Sequence, residues 1–464
     1  MRGDAVRTTS KKRQQGAVSI VVVLSLTTML MCLGLALDAG LGYMVKAKLD
    51  AAADGAAIAA GQSVTRGNTP DQQKANAQQA ATAFFAANYP SGFLNSTATL
   101  QTPSVVFNNG TVTIDIAAQA RVPTTFMQLI GYKSLSVATS SESIRRDLDM
   151  AFVVDTTTSM NNSTVQKAVR ASSIDFLNSF DITNDRVALM HFATGTVVDV
   201  PFKNANARGF DRATMTTKIN GYSFNGNTNS EEAMWNARWQ LNHVITQPSS
   251  LRVIVFFSDG APNSFSSTFP MTKSSCTTNT GTVVSSDDPP TGSGQTDNPG
   301  GLYQLGVQTS QAMSGTCYDK TAATVDHLPA NYNAHAASEP SVTFPIVTNS
   351  PRVVTQAMNG ASYKVRYQNI NRASRNLLEA MAAQARSEGI YVFALGYGSL
   401  LTVGKGADGE KGEDILKCIA NVADGPSRCY NPKQPVGVYC YAATANDIKP
   451  CYSQLASQIL RISK

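Results

Sequence analysis

The spacing of apolar positions changes several times along the chain, and each change predicts an element. Residues 17–37, AVSIVVVLSLTTMLMCLGLAL, carry no charge between Arg13 and Asp38. At about 1.5 Å per residue this run spans a hydrocarbon core of about 30 Å, which predicts a transmembrane helix. A cleaved signal peptide fits less well. The run exceeds the usual apolar core of about 7–15 residues, and no small-x-small site ends it. A helical stripe continues through Leu37, Leu41, Val45, Leu49, Ala52, Ala56 and Ala59. One long helix is therefore expected, half in lipid and half outside.

TRGNTP (65–70) breaks this helix, and PDQQKANAQQAATAFFAANY opens a second with Pro70 in its first turn. Residues 104–122 read as a hairpin turned at Asn109-Gly110, with Val112, Ile114, Ile116, Ala118, Ala120 and Val122 on alternate positions. FMQLIG (126–131) is a short apolar turn, SLSVATS a further strand, and ESIRRDLD (142–149) a linker. From 148 the rhythm becomes strand–helix alternation. LDMAFVVD, LRVIVFFSDG and IYVFALGYG are continuous apolar strands, and RVALMHFA with TVVDVPF is a strand pair. The helices between them are NNSTVQKAVRASSIDFLNSF, SEEAMWNARWQLNHV and NRASRNLLEAMAAQARSEG, the last stopped by Gly389. This predicts an α/β fold with a doubly wound, mostly parallel sheet. Residues 262–368 interrupt it with a polar stretch rich in glycine and proline, expected to be loops over one end of the sheet.

Charge sharpens the membrane reading. Residues 1–16 hold Arg2, Arg7, Lys11, Lys12 and Arg13 against Asp4, most of the formal net charge of +6. A basic tail before an apolar run keeps the N-terminus cytoplasmic and sends the rest across. No basic patch points to nucleic acid. Six of the seven cysteines (Cys276, Cys317, Cys418, Cys429, Cys440, Cys451) lie in the exported part, which suggests disulfides. Cys276 and Cys317 are expected to staple the interruption. The last four cysteines stand eleven residues apart, but proline and glycine break those intervals, so no repeat is read from them.

The candidate chemistry sits at strand ends, where ligands gather in open α/β sheets. DTTTS supplies Asp155, Thr157 and Ser159; NGNTNSEE supplies Thr228 before a helix; SDGAPN supplies Asp259. Two carboxylates and three hydroxyls form an all-oxygen set suited to a hard cation, Mg²⁺ first and Mn²⁺ or Ca²⁺ as alternatives. DTTTS alone reads more readily as a helix cap than as a ligand set, and the five positions in this order are what favour the metal. His191 in an apolar strand reads as a core histidine. His327 and His335 have no ligand partner at metal spacing, Trp235 and Trp239 read as packing, and Asp287 and Asp288 as an exposed turn. YGSLLTVGKGADGEKGED lacks phosphate-loop spacing.

In these strand-end motifs residues 148–462 resemble a von Willebrand factor A domain. DTTTSM matches the family's DxSxS adhesion motif with Thr157 in place of serine, Thr228 its loop threonine, and SDGAPN its final aspartate. The resemblance implies a metal ion completed by an acidic residue of a protein partner. The N-terminal segment, with Gly16, Asp38, Tyr43 and AAADGAAIAA, resembles TadG-like proteins of the tight-adherence (Flp) pilus machinery. Gly16 matches a prepilin cleavage point, but Val21 stands where a pilin has glutamate, so processing is not predicted. The implied organisation is a basic tail (1–16), a transmembrane helix (17–37), a small pilin-like α+β unit (38–141), a linker (142–149) and an A domain (148–462) carrying the insertion. The implied function is a non-enzymatic interaction protein of a pilus-assembly system, single-pass in the bacterial inner membrane with its bulk periplasmic. The alternatives are a surface adhesin or secreted matrix protein, and, least favoured, a hydrolase or chelatase-type accessory.

Overall fold

The computed structural model describes residues 15–64, 70–108, 111–203, 208–245, 251–277, 279–286, 300–313, 317–319, 322–335, 339 and 341–462. The tail before Gln15, the break at 65–69, the Asn109-Gly110 turn and the Asp287-Asp288 pair lie outside the described residues. The chain divides into two compact units, with the boundary between Ile144 and Arg145.

The first unit begins with α1 (Gln15–Ser63), one helix of 49 residues without proline. It is long and apolar enough to cross a membrane, and its apolar window is almost wholly exposed. Burial begins further along the stripe: Val45, Leu49, Ala52, Ala56 and Ala59 are buried, whereas Leu37 is exposed. α2 (Pro70–Asn88) lays Ala77, Ala81 and Phe85 in the same core as the alanines of α1. Small side chains let the two backbones approach closely. The strands are β1 (Thr97–Leu100), β2 (Ser104–Asn108), β3 (Thr111–Pro123) and β4 (Ser134–Arg146). β3 is central, antiparallel to β1, and pairs with β2 and β4. Its alternate residues from Val112 to Val122 are all buried, as period-two patterning requires. Of residues 142–149, expected as a linker, β4 takes those up to Arg146 and β5 those from Leu148.

The second unit follows in chain order as β5 (Leu148–Asp155), α3 (Ser163–Leu177), β6 (Arg186–Phe192), β7 (Thr196–Val200), α4 (Arg212–Asn220), α5 (Ser230–Trp239) and β8 (Leu251–Ser258). It continues with β9 (Ser264–Thr268), β10 (Thr280–Val284), β11 (Gly300–Tyr303), α6 (Tyr363–Ser387) and β12 (Tyr391–Tyr397). It closes with β13 (Gly404–Lys405), β14 (Glu410–Lys411), α7 (Gly412–Ala420), β15 (Tyr439–Ala442) and α8 (Ile448–Ile462). The main sheet has the order β15-β12-β8-β5-β6-β7, parallel except for β7. Its strands are apolar on both faces because both are covered. Ala151, Val153, Ile254 and Phe256 pack toward α5 and α6. Phe152, Val154, Val255 and Phe257 pack with Phe176 of α3 and Tyr452 of α8.

The insertion corrects the sequence reading. It is not a set of loops, since β9, β10 and β11 form an antiparallel sheet of their own. Nor does it lack a core: Phe265, Phe269, Val283, Leu328, Phe344 and Ile346 are buried in the core shared with α5 and α6. It also ends earlier than expected, because α6 already starts at Tyr363.

Disulfides join Cys276 to Cys317, Cys418 to Cys429 and Cys440 to Cys451. The eleven-residue spacing therefore marks two local cross-links. One ties the end of α7 to the following loop, the other β15 to α8. Cys418→Ser with Cys429→Ser removes a cross-link closing a loop of 11 residues. It is expected to cost about 3 kcal/mol by loop-closure entropy. Urea unfolding of the oxidised full chain beside the double variant measures this.

Candidate functional site

β5 and β8 run parallel and in register, Val154 opposite Phe257, so Asp155 and Ser258 end the two strands side by side. The Ser258 hydroxyl donates to Asp155 Oδ2 at 2.6 Å. The Thr157 amide donates to Asp155 Oδ1 at 2.9 Å, an Asx turn that reverses the chain. The short 3₁₀ turn Thr158–Met160 then brings the hydroxyls of Thr157 and Ser159 within 2.9 Å of each other. Both point to one acceptor, Asp259 Oδ1, at 3.3 Å from Thr157 and 2.8 Å from Ser159. Thr228 joins them from the next loop. Its Oγ1 lies 3.6 Å from where a side chain on Gly260 would begin. Asp155, Thr157, Ser159 and Asp259 thus meet at the ends of β5 and β8, with the Thr228 hydroxyl beside Gly260, the residue after Asp259.

Asp155, Thr157, Thr228 and Asp259 are buried, while Ser159 faces solvent. Burial pushes the Asp155 carboxyl up to about 6, against the lowering effect of its hydrogen bonds to Ser258 and Thr157. Among the described residues no lysine or arginine pairs with Asp155. A carboxylate with no cation beside it, a second carboxylate and three hydroxyl oxygens form a donor set that fits a hard divalent cation.

Several supporting residues were not picked out from the sequence. Ser258 and Asn263 both lie within or beside the quoted SDGAPN stretch. Asn263 Oδ1 accepts from the Thr228 amide at 2.8 Å, and its own amide donates to the Thr228 carbonyl at 3.1 Å. Thr158 and Gly226 exchange hydrogen bonds that hold the first and second loops together. The insertion takes part too. The Gln308 side-chain amide donates to the carbonyls of Thr156, Ser223 and Asn225 at 3.2, 3.0 and 2.8 Å. Asn229, beside Thr228, donates to Ser266 and Thr282 of β9 and β10. Only contact across the fold reveals these roles; a lone glutamine in a polar loop carries no sequence signal.

His191 is half-buried and paired with Asp199 at 2.7 Å. His335, read as lacking a partner, meets Glu232 of α5 at 2.7 Å and stacks on Trp235. The first stands with the pairing of β6 and β7, the second with the packing of α5, and neither with the five-oxygen cluster.

Residues 150–261 match the model of the von Willebrand factor type A domain, and residues 16–63 that of the putative Flp pilus-assembly TadE/G-like family. The second unit has an A-domain fold. A search of curated proteins returns no match. Among solved structures, the von Willebrand domain of the type V pilus tip protein Mfa5 from Porphyromonas gingivalis is 14% identical, with TM-score 0.39, covering 69% of this chain and 98% of that one. The minor pilin PilB from Streptococcus sanguinis is 14% identical, with TM-score 0.38 and 80% of each chain covered. Proximal thread matrix protein 1 of the mussel byssus, solved with a zinc-occupied MIDAS motif, is 12% identical, with TM-score 0.33, covering 68% of this chain and 46% of that one. This chain thus spans less than half of the mussel protein.

Proposed function

We propose that the chain is a membrane-anchored, pilus-associated interaction protein whose A domain binds a protein partner through a divalent cation. The observation that carries this reading is the convergence of Thr157 and Ser159 on Asp259 beside the buried Asp155. Asp155, Thr157, Ser159, Thr228 and Asp259 would hold the ion, with Mg²⁺ the best match to the all-oxygen set. Bound there, the ion would supply an electrophilic position for a carboxylate of the partner. The chain's own residues keep that edge rigid: Ser258 orients Asp155, Asn263 fixes the Thr228 loop, and Gln308 ties the loops together. The TadE/G-like match and the apolar half of α1 support a single-pass anchor in a pilus system. With the basic tail held in the cytoplasm, the A domain stands in the periplasm of a bacterial inner membrane.

Isothermal titration of Mg²⁺ and Mn²⁺ into the full chain in detergent, beside Asp259→Ala, tests the site. Saturable binding in the parent, weakened on the order of 100-fold or more in the variant, is expected, since even outer-shell changes cost about 10–100-fold. No binding to a folded parent protein would overturn the metal reading.

A further inference from the structure

We propose that the turn at residues 124–133 enters the outer membrane leaflet beside α1, so that the first unit touches lipid at a second place. The proposal rests on reading α1 as membrane-spanning. The stretch VPTTFMQLIGY has no charge between Arg121 and Lys133. At its tip Phe126, Leu129, Ile130 and Tyr132 are 41, 76, 57 and 61% exposed, a large apolar surface for one short turn.

Its position argues for lipid as the occupant. The turn packs against residues 27–35 of α1, within the apolar run that ends at Leu37. Contact is close at Gly34, where an added side chain would begin 2.4 Å from Phe126 Cβ. A groove of about 430 Å³ separates the two, lined by Leu30, Met31 and Leu35 from the helix and Phe126, Leu129 and Ile130 from the turn. Leu30 lies seven residues inside the end of the run, about 10 Å at helical rise. A turn that reaches this level sits where acyl chains cover α1 itself, at the depth amphipathic elements occupy in an interface.

The backbone is prepared for that depth. Irregular backbone in hydrocarbon needs its polar groups satisfied from within. Asp38, buried at the end of the apolar run, accepts from the amides of Thr125, Phe126 and Met127 at 3.0, 2.9 and 2.7 Å. The amides of Leu129, Gly131 and Tyr132 donate to the carbonyls of Phe126, Gln128 and Met127. The Gln128 side chain donates to the Thr125 carbonyl, and the Thr124 hydroxyl to that of Tyr132. Asp38, its charge met by those three amides, and the exposed Lys133 then fall at headgroup level.

The test uses the full chain in nanodiscs of phosphatidylcholine and phosphatidylglycerol, some lipids carrying a nitroxide on the acyl chain. Cys32, the free thiol among the described residues, is replaced by serine. A fluorophore is attached at Leu129→Cys, at Leu24→Cys on α1, or at Ala75→Cys, exposed near the start of α2. Quenching of about twofold or more at positions 24 and 129, and none at 75, is the expected result for a turn in the leaflet. Quenching at 24 with position 129 behaving like 75 would overturn the proposal and leave the anchor standing. A Leu129→Cys thiol that cross-links to a second copy while unquenched would do the same and assign the face to self-association. An unquenched position 24 would remove the anchor, and this proposal with it.

Discussion

Asp155→Asn is expected to abolish stabilisation by Mg²⁺ while leaving the metal-free domain at least as stable as the parent. The reason is the cost of a buried carboxylate. Burial raises Asp155 from an ordinary value near 3.8 to about 6, so the fold prefers the protonated form. For such a group the stabilising contribution is complete below the usual carboxylate range and is lost as pH rises through about 6. A rise of that size corresponds to roughly 3 kcal/mol of disfavoured charge at neutral pH. Asparagine removes that charge and keeps an acceptor for the Thr157 amide, and the Ser258 hydroxyl can rotate to accept from the new amide. A cation reverses the balance by compensating the charge, worth about 2.7 kcal/mol at a hundred times its dissociation constant. Thermal unfolding at pH 7.5 and pH 5, with and without Mg²⁺, separates these effects. The parent should gain stability from the ion at pH 7.5 and less at pH 5, where protons compete for Asp155. The variant should gain at neither. A variant that keeps the ion-dependent shift would show that Asp155 is not a ligand.

The second large effect concerns Arg238 of α5. Its guanidinium is 2% exposed and forms paired hydrogen bonds with Glu339 of the insertion and Glu388 beyond α6. Asn242 and Gln384 also donate to Glu388. Glu339 keeps His243 at 3.3 Å and both glutamates are half-buried, but losing the buried guanidinium removes their main counter-charge, so Arg238→Ala is expected to cost about 3 kcal/mol, the lower end for a buried pair. Neutralising the cluster, as Arg238→Met with Glu339→Gln and Glu388→Gln, should recover most of that loss. The two tryptophans of the chain, Trp235 and Trp239, stack on α5 and report unfolding by fluorescence in urea. A single variant as stable as the parent would mean that water, not Arg238, solvates the glutamates.

What the sequence revealed follows from how each element is buried. LDMAFVVD, LRVIVFFS and YVFALGY are covered on both faces, so their continuous apolar runs identify central parallel strands without help from a neighbour. The insertion sheet carries no such signal. SFSST and TGTVV bury hydroxyls that pair with each other, Ser266 with Thr282 and Thr268 with Thr280. Serine, threonine and glycine in a strand read locally as loop. Asp155 and Asp259 stood out as candidates because each sits at the end of a continuous apolar strand. Gln308 and Asn263 did not, because their partners are backbone groups set by loop geometry. The eleven-residue cysteine spacing was visible but could not be interpreted, since its meaning depends on α7, β15 and α8 folding back on themselves.

The two outer strands of the main sheet are its shortest members, five residues in β7 and four in β15, and β15 is bolted to α8 through Cys440–Cys451. Short, anchored edges offer little template for another chain to add a strand. The main sheet is therefore guarded against edge-to-edge polymerisation. Strand exchange at these two edges is disfavoured by the same shortness and by the disulfide.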